Sequence, residues 1–600
     1  MESIMDFESR VNQEKELRQK FIYPKINRRR LEEMNMKWKN KKRWVLCAAG
    51  LVLLTGMIIF LIRDNYFTDS IPQESEDEFM SEDEKEELWK TASTTPLGKY
   101  PELVTYTLGK VTAKNNSNMP EGDTYEDNNY TRYIRSLLNV QNQDVMEGQD
   151  HNQYERVELM AVLEGKIPDI MVVTSQDVLD TLVEHDLIED LTEAYENCAS
   201  DRIKEMYDSY GDDKLGAVTY DGKLMALPET EVYTGPALLW LRTDWIRQLG
   251  LEEPETLEEA MTIIKEFTIQ NPGNHPDGNV GLVFDPTLVG QSDQCFSIDP
   301  ILDAYHAYPG KWLKDEDGSM IYGSVTKEMK EVLGKLQQLY ADGILDQSFM
   351  IRNAKNLPEL LENGQSGAFF GWWWAPNNPL SHMYERTEEW KPFLFPDENQ
   401  SVETSLSYGR HYCVVARKGF EYPEIIPKVL SALFDYARYD GKKDAEEVGE
   451  YLGRNVDPTA TPFVINLDYS DAIFRATKNI QAVLDREKDF QSLTVLEQGY
   501  YNSCRGYLDQ SRPHEGWQWA AYTSRITAVS RLLQANITYV NEGYTQEYDQ
   551  LTDDELTKLE EEAFITIITG EKSLDTFDQF VEEWYAAGGE ELTKKANKKL

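Results

Sequence analysis

Leu163-Glu164-Gly165-Lys166-Ile167-Pro168-Asp169-Ile170-Met171-Val172-Val173-Thr174-Ser175 carries a helix end, a buried strand and a helix start in quick succession. Tyr154 to Leu163 is amphipathic at helical spacing, and Gly165 can stop it in the left-handed conformation that glycine tolerates. Pro168 to Val173 is a brief apolar run, too short for a helix and suited to a buried strand. Ser175 can cap the next helix, whose apolar face is Val178, Leu179, Leu182 and Val183. Upstream, Leu103-Val104-Thr105-Tyr106-Thr107-Leu108 reads as a strand. After a polar loop, Tyr130, Tyr133, Ile134, Leu137 and Leu138 recur at helical spacing. This alternation predicts an α/β fold with a largely parallel sheet covered by helices.

Downstream, Asp221-Gly222-Lys223 is a turn between short strands, and Pro236 to Leu241 is a further strand. Arg242-Thr243-Asp244-Trp245 opens a short helix that ends at Gly250. Thr256 and Glu259 form a capping box for the helix carrying Ile263, Ile264 and Phe267. A second α/β unit therefore begins near residue 236.

Composition bounds the function. The 600 residues are 40% hydrophobic and 11% aromatic, enough for several cores, with a formal net charge of -45. So acidic a chain is unsuited to DNA or RNA, because phosphate binding needs clustered Lys and Arg. The cysteines, Cys47, Cys198, Cys295, Cys413 and Cys504, lack metal-type spacing, and those outside the apolar segment are too scattered to define a disulfide framework. The seven histidines show no ligand spacing, and HExxH, Walker A and GxSxG motifs are absent. No catalytic residue, metal site or cofactor is predicted.

Trp44 to Ile62 reads WVLCAAGLVLLTGMIIFLI, without a charge. As a helix it would span roughly 28 Å, close to the hydrocarbon thickness of a bilayer. The flank before it is basic and the flank after it acidic, so residues 1–43 are expected in the cytoplasm and the C-terminal bulk outside. A buried core helix conflicts with the uninterrupted run. A cleaved signal peptide lacks small residues of the A-x-A type after Phe60, and a lipoprotein signal would need a cysteine at the end of the run, whereas Cys47 is near its start. An uncleaved signal anchor is the preferred reading. Ile71 to Lys90 is strongly acidic and reads as a solvated stalk, part of a linker over 63–98.

Ordered pieces then carry a resemblance. Leu163 to Ile170, Tyr220-Asp221-Gly222-Lys223-Leu224-Met225-Ala226-Leu227-Pro228, Trp240 to Leu251, Pro254 to Glu259, Leu339 to Asp346, and Phe580-Val581-Glu582-Glu583-Trp584 with Gly588-Gly589 occur in sequence. Together they make the chain from Tyr100 to Leu600 similar to the family 1 extracellular solute-binding proteins, especially their large lipoprotein-like branch. The resemblance implies a two-lobed, periplasmic-binding-protein-like (type II) fold, here preceded by a single transmembrane helix. It implies a ligand cleft between lobes that close on binding. The solute-binding domain is expected over 99–600, with lobe 1 at about 99–235 plus 366–425 and lobe 2 at about 236–365 plus 426–600. The implied role is capture of an oligosaccharide for the permease subunits of an ABC importer by a monomer held at the membrane through residues 44–62.

The main site candidate is Phe369-Phe370-Gly371-Trp372-Trp373-Trp374-Ala375-Pro376-Asn377-Asn378. On a strand, Trp372 and Trp374 would face one way and Trp373 the other. One face can serve the core, but three adjacent indoles are hard to bury together. Flat rings suit the apolar faces of sugars, and the Asn377 amide suits their hydroxyls. Asp127, Asn128 and Asn129 follow the first strand, where open sheets bind ligands, although turn-making and helix capping compete as their role. Glu229, Glu231 and Tyr233 are placed at the first crossing between lobes, and Tyr408 and Arg410 near a later return. Asn271 to Asn279 corresponds to a loop that holds calcium in some relatives, but Asp277 is its lone carboxylate. Two rival readings stand beside importer delivery: a sensory binding protein coupled to a membrane kinase, and a secreted glycosidase, which would need two carboxylates across a sugar site.

Overall fold

The computed structural model describes residues 81–600 apart from 113–118, 290–294, 316, 354, 385–387, 407–411, 441–444, 455–457, 510, 512, 542–547, 549–550 and 600. The basic tail, the apolar run Trp44–Ile62 and residues 63–80 lie outside the described residues. Among the described residues no helix is long and apolar enough to cross a membrane.

The body starts earlier than expected. Helix α1 (Glu82–Thr94) is closed at its start by a capping box between Ser81 and Glu84. Its acids sit on the solvent side, while Ala92 is buried and Trp89 stacks on Tyr422 with ring centroids 5.7 Å apart. The Lys428 ammonium donates to the carbonyls of Ala92, Thr95 and Gly98 at 2.7–2.8 Å, tying the helix end to the core. Residues 82–98 are therefore folded against the body rather than a solvated stalk, since one helical face can carry the acids while the other packs.

Lobe 1 is built on β1 (Val104–Val111), β2 (Val140–Gly148), β3 (Ile170–Val173) and β4 (Leu227–Pro228). Between them run α2 (Asn129–Leu138), α3 (His151–Glu164) and α4 (Gln176–Glu184). Gly165 closes α3 at φ 64°, and the Ser175 hydroxyl caps α4 by accepting from the Val178 N–H, both as predicted. The polar strand β2, Val140-Gln141-Asn142-Gln143-Asp144-Val145-Met146-Glu147-Gly148, was not predicted. It lies at the sheet edge, where alternate residues face water and apolar content is low.

Lobe 2 contains β5 (Leu238–Arg242), flanked on both sides by antiparallel β6 (Ala368–Gly371) and β7 (Trp390–Phe393). The chain then returns to lobe 1 as β8 (Cys413–Ala416), giving that sheet the order β2-β1-β3-β8-β4. Strands β1, β2 and β3 are parallel, and β8 runs antiparallel to β3 and β4.

The lobe boundaries differ from expectation in two places. Residues 366–393 belong to lobe 2, not lobe 1, because β6 pairs with β5. Its Phe369 and Phe370 are both buried, and a wholly apolar strand is central in whichever sheet it joins. Residues 426–469 pack on lobe 1, not lobe 2: Val429, Phe434, Tyr451 and Phe463 share its core with Leu108, Val172 and Val414. The cores of lobe 2 draw on residues 237–393 and on the C-terminal helices. Cys198, Cys295, Cys413 and Cys504 are buried free thiols.

Candidate functional site

The chain passes between the lobes over residues 229–237, 466–471 and the segment that follows residue 393, and the described parts of these backbone segments are laced together. The Glu229 N–H donates to Tyr412 O at 2.7 Å, Thr230 N–H to Asn466 O at 2.9 Å and Tyr233 N–H to Ser470 O at 2.8 Å. The Glu229 carboxylate accepts from the Asn466 N–H at 3.1 Å, and Tyr233 sits between the rings of Tyr210 and Tyr539 at 5.6 and 5.0 Å. Glu231 lies two residues on, and its charge bears on Glu229.

Burial, and then the Glu231 charge, push the Glu229 carboxyl up from 4.5 to about 8; the Asn466 N–H and Lys214 oppose this only in part. The folded chain therefore keeps a proton that the unfolded chain loses, so this group's contribution to stability declines as pH rises from about 4.5 to about 8. Glu229→Gln is expected to remove the decline, so that the variant melts a few degrees above the parent at pH 9 and close to it at pH 4.5. Melting curves across that range check it.

At the lobe 2 end of these crossings, β6 leads into the tryptophan turn. The Trp240 indole N–H donates to Gly371 O at 3.1 Å, fixing the last residue before the turn. Trp372, Trp373 and Trp374 leave the strand and enter a turn, so the expected strand continues only to Gly371. The expected alternation survives in burial: Trp373 is 9% exposed, while Trp372 and Trp374 are half-buried against the lobe 2 core. Among the described residues the Trp373 indole N–H has no hydrogen-bond acceptor, although it is buried.

Trp373 is in the wall of a cavity of about 350 Å³. The wall takes Arg202 and Arg438 from lobe 1, Val232 and Asp468 from the crossings, and Arg525 from the helical turn Thr523–Ala528. Helices α5 (Ala472–Leu484) and α6 (Val495–Leu508) close it, the latter supplying Tyr500. The Arg525 guanidinium lies over the Trp373 ring at 5.2 Å and the Tyr500 ring at 3.2 Å. Arg202 pairs with Asp435 at 2.7 Å, Arg438 with Asp468 at 3.3 Å, and Arg475 with Asp471. A larger open groove of about 1350 Å³, lined by Tyr384, Trp390, Trp517 and Trp519 among others, lies wholly within lobe 2. The wall of the smaller cavity joins both lobes to the segments linking them.

The remaining predicted residues are placed elsewhere. Asn377 is exposed, and its amide donates to the Ser524 hydroxyl at 3.0 Å, bracing the tryptophan turn against the Arg525 segment. Asn128 is fully buried as the N-cap of α2. Its carbonyl oxygen accepts from the Tyr130 and Thr131 N–H groups, and its amide donates to Thr124 O, Tyr125 O and Ala460 O. Asn129 donates to Glu447 O and accepts from Arg132; Asp127 pairs with Arg132 and Arg135. These residues make the turn and the cap. Residues 459–461 fill the space beyond β1, and their carbonyls take the Asn128 amide and the Lys110 ammonium. Tyr408 and Arg410 lie outside the described residues. Asn271 to Asn279 is closed on itself, with Asn271 accepting from the His275 N–H and Asn279 from the Gly273 N–H. Sequence reasoning missed Arg525, Tyr500, Arg438 and Asp468, which come together only through helices far apart in the chain.

This arrangement can hold a solute against aromatic faces and guanidinium donors. A family model described as a bacterial extracellular solute-binding protein matches residues 145–418. That stretch of the chain is similar to the family. The chain is 25% identical over 376 residues to Lipoprotein LipO of Bacillus subtilis (strain 168), covering 60% of this chain and 68% of that one. It is 22% identical over 388 residues to the polygalacturonan/rhamnogalacturonan-binding protein YtcQ of the same organism, covering 63% and 70%. In structure it resembles an extracellular solute-binding protein from Bifidobacterium longum subsp. infantis, with a TM-score of 0.56 and 12% identity over 83% of this chain and 97% of that one. That likeness supports the two-lobed, periplasmic-binding-protein-like α/β fold.

Proposed function

We propose that the protein captures an oligosaccharide between its lobes, outside the cell, and passes it unaltered to an ABC importer. The observation that carries this reading is the Trp373 cavity, whose wall draws on both lobes and on the segments crossing between them. A ligand held there binds one lobe arrangement better than another and so favours closure. The curated relative named for polygalacturonan and rhamnogalacturonan supports a sugar as the solute. Indole and phenol faces stack on sugar rings, and guanidinium N–H groups meet hydroxyl oxygens.

Titrating the purified full-length protein with a panel of plant and microbial oligosaccharides tests the reading. At a hundredfold excess over Kd, a true ligand adds about 2.7 kcal/mol and raises Tm by a few degrees. Chromatography should recover the ligand intact. A panel without any shift would remove the oligosaccharide, and a cleaved product would point to the glycosidase.

Trp44–Ile62 serves as the tether, with residues 1–43 in the cytoplasm. Protease added to intact cells is expected to shed the body and leave the basic tail protected. Spontaneous release, with a new N-terminus just after Phe60, would show a cleaved signal instead.

A further inference from the structure

We propose that the Trp373 cavity reads a carboxylate on the sugar, with the Arg525 guanidinium as the group that binds it, so that the ligand is an acidic, uronate-bearing oligosaccharide. This rests on the oligosaccharide reading above and narrows it to a chemical class.

The argument begins with charge. The chain holds 106 acidic and 61 basic side chains, so a cation here readily finds an acid. Arg202, Arg438 and Arg475, in the same cavity wall, each have one. Arg525 does not: among the described residues no carboxylate stands in ion-pair contact with it, and its guanidinium lies against the rings of Trp373 and Tyr500. The acids that line the cavity are committed elsewhere. Asp468 accepts from Arg438 and Tyr439, while Glu497 accepts from the Asn479 amide and the Thr494 N–H.

Arg525 is half-buried between these rings, and the partial desolvation pulls its pKa below the usual arginine value. A partly desolvated cation without a counter-ion is unfavourable, and two π faces offset that cost only in part. The rings hold the plane of the guanidinium and leave its N–H donors without a protein acceptor. That planar fork matches a carboxylate bidentately. The Trp373 indole N–H, buried and also lacking an acceptor, is a second donor beside it. A neutral sugar could use these donors, but only an anion also neutralises the charge.

The test compares tetragalacturonate with its full methyl ester, which keeps the chain and removes the charge, by calorimetry on the purified full-length protein. The parent is expected to bind the acid at least about tenfold more tightly than the ester, a difference of about 1.4 kcal/mol. Arg525→Gln is expected to weaken the acid about tenfold more than it weakens the ester, and so erase the preference. Equal binding of acid and ester to the parent overturns the proposal and needs no variant. Equal loss of both in Arg525→Gln, with the fold intact by circular dichroism, overturns the role of Arg525. If only neutral oligosaccharides bind, the acidic class is wrong and the oligosaccharide reading stands; if no sugar binds, both fall. Binding of inorganic phosphate as tight as that of the acid would make the site one for a free anion and overturn the sugar carboxylate.

Discussion

Trp584→Ala is expected to destabilise the body by about 3–5 kcal/mol, the range for deleting a large buried aromatic. Trp584 is fully buried, and its ring stacks on Tyr322 with centroids 5.0 Å apart. Its indole N–H donates to the Glu560 carboxylate at 2.8 Å, and the Ser324 hydroxyl donates to the same carboxylate at 2.6 Å. Gly589 presses on the ring so closely that a Cβ there would come within 2.1 Å of it. The alanine variant leaves a void and also takes one donor from a buried acid. Trp584→Phe keeps most of the ring and loses the donor, so it should cost less, about 1–3 kcal/mol. Denaturant titration followed by circular dichroism checks both. A loss below about 1 kcal/mol for the alanine variant would contradict this packing.

The second large effect concerns ligand rather than fold. Trp373→Ala is expected to weaken binding by about 2 kcal/mol or more, on the order of thirtyfold, as truncated aromatic anchors do at other interfaces. The substitution removes a face of the cavity and frees the Arg525 guanidinium from one of its two rings. Trp373→Phe retains a face but not the N–H, so it separates stacking from hydrogen bonding. Because Trp373 is 9% exposed and packs on the lobe 2 core, melting curves must accompany the titrations. A folded alanine variant with unchanged affinity would remove Trp373 from the site.

Much of the fold was legible locally. Gly165, Ser175 and Gly250 mark element ends by rules that depend on a few neighbouring residues, and each does so in the structure. What was hidden depended on partners distant in sequence. Ala368–Gly371 reads as a buried strand, but nothing in its own residues says whether it pairs in lobe 1 or with Leu238–Arg242 in lobe 2. Strand β2 is polar because it lies at an edge, so it lacked the apolar signal used to find strands. The acidic run up to Lys90 looked like one solvated segment. Only Trp89 and Ala92 hinted that its latter half has an inward face.

The site shows the same division. Adjacent tryptophans are conspicuous in sequence, and Trp373 does line a cavity. Asn128 shows the opposite case. It lies after the first strand, but every hydrogen-bonding position on its side chain is engaged by backbone, including the carbonyl of Ala460. Arg525 carried no local signal. Its meaning comes from what surrounds it, two rings and no acid, and that is a property of the folded chain alone.

The central claim, that a solute is held between two lobes that close on it, is tested most directly by small-angle X-ray scattering of the protein free and saturated with its tightest-binding oligosaccharide. Closure predicts a smaller radius of gyration at saturation, with the change tracking occupancy through the titration. An identical scattering curve for the free and the fully saturated protein would contradict it.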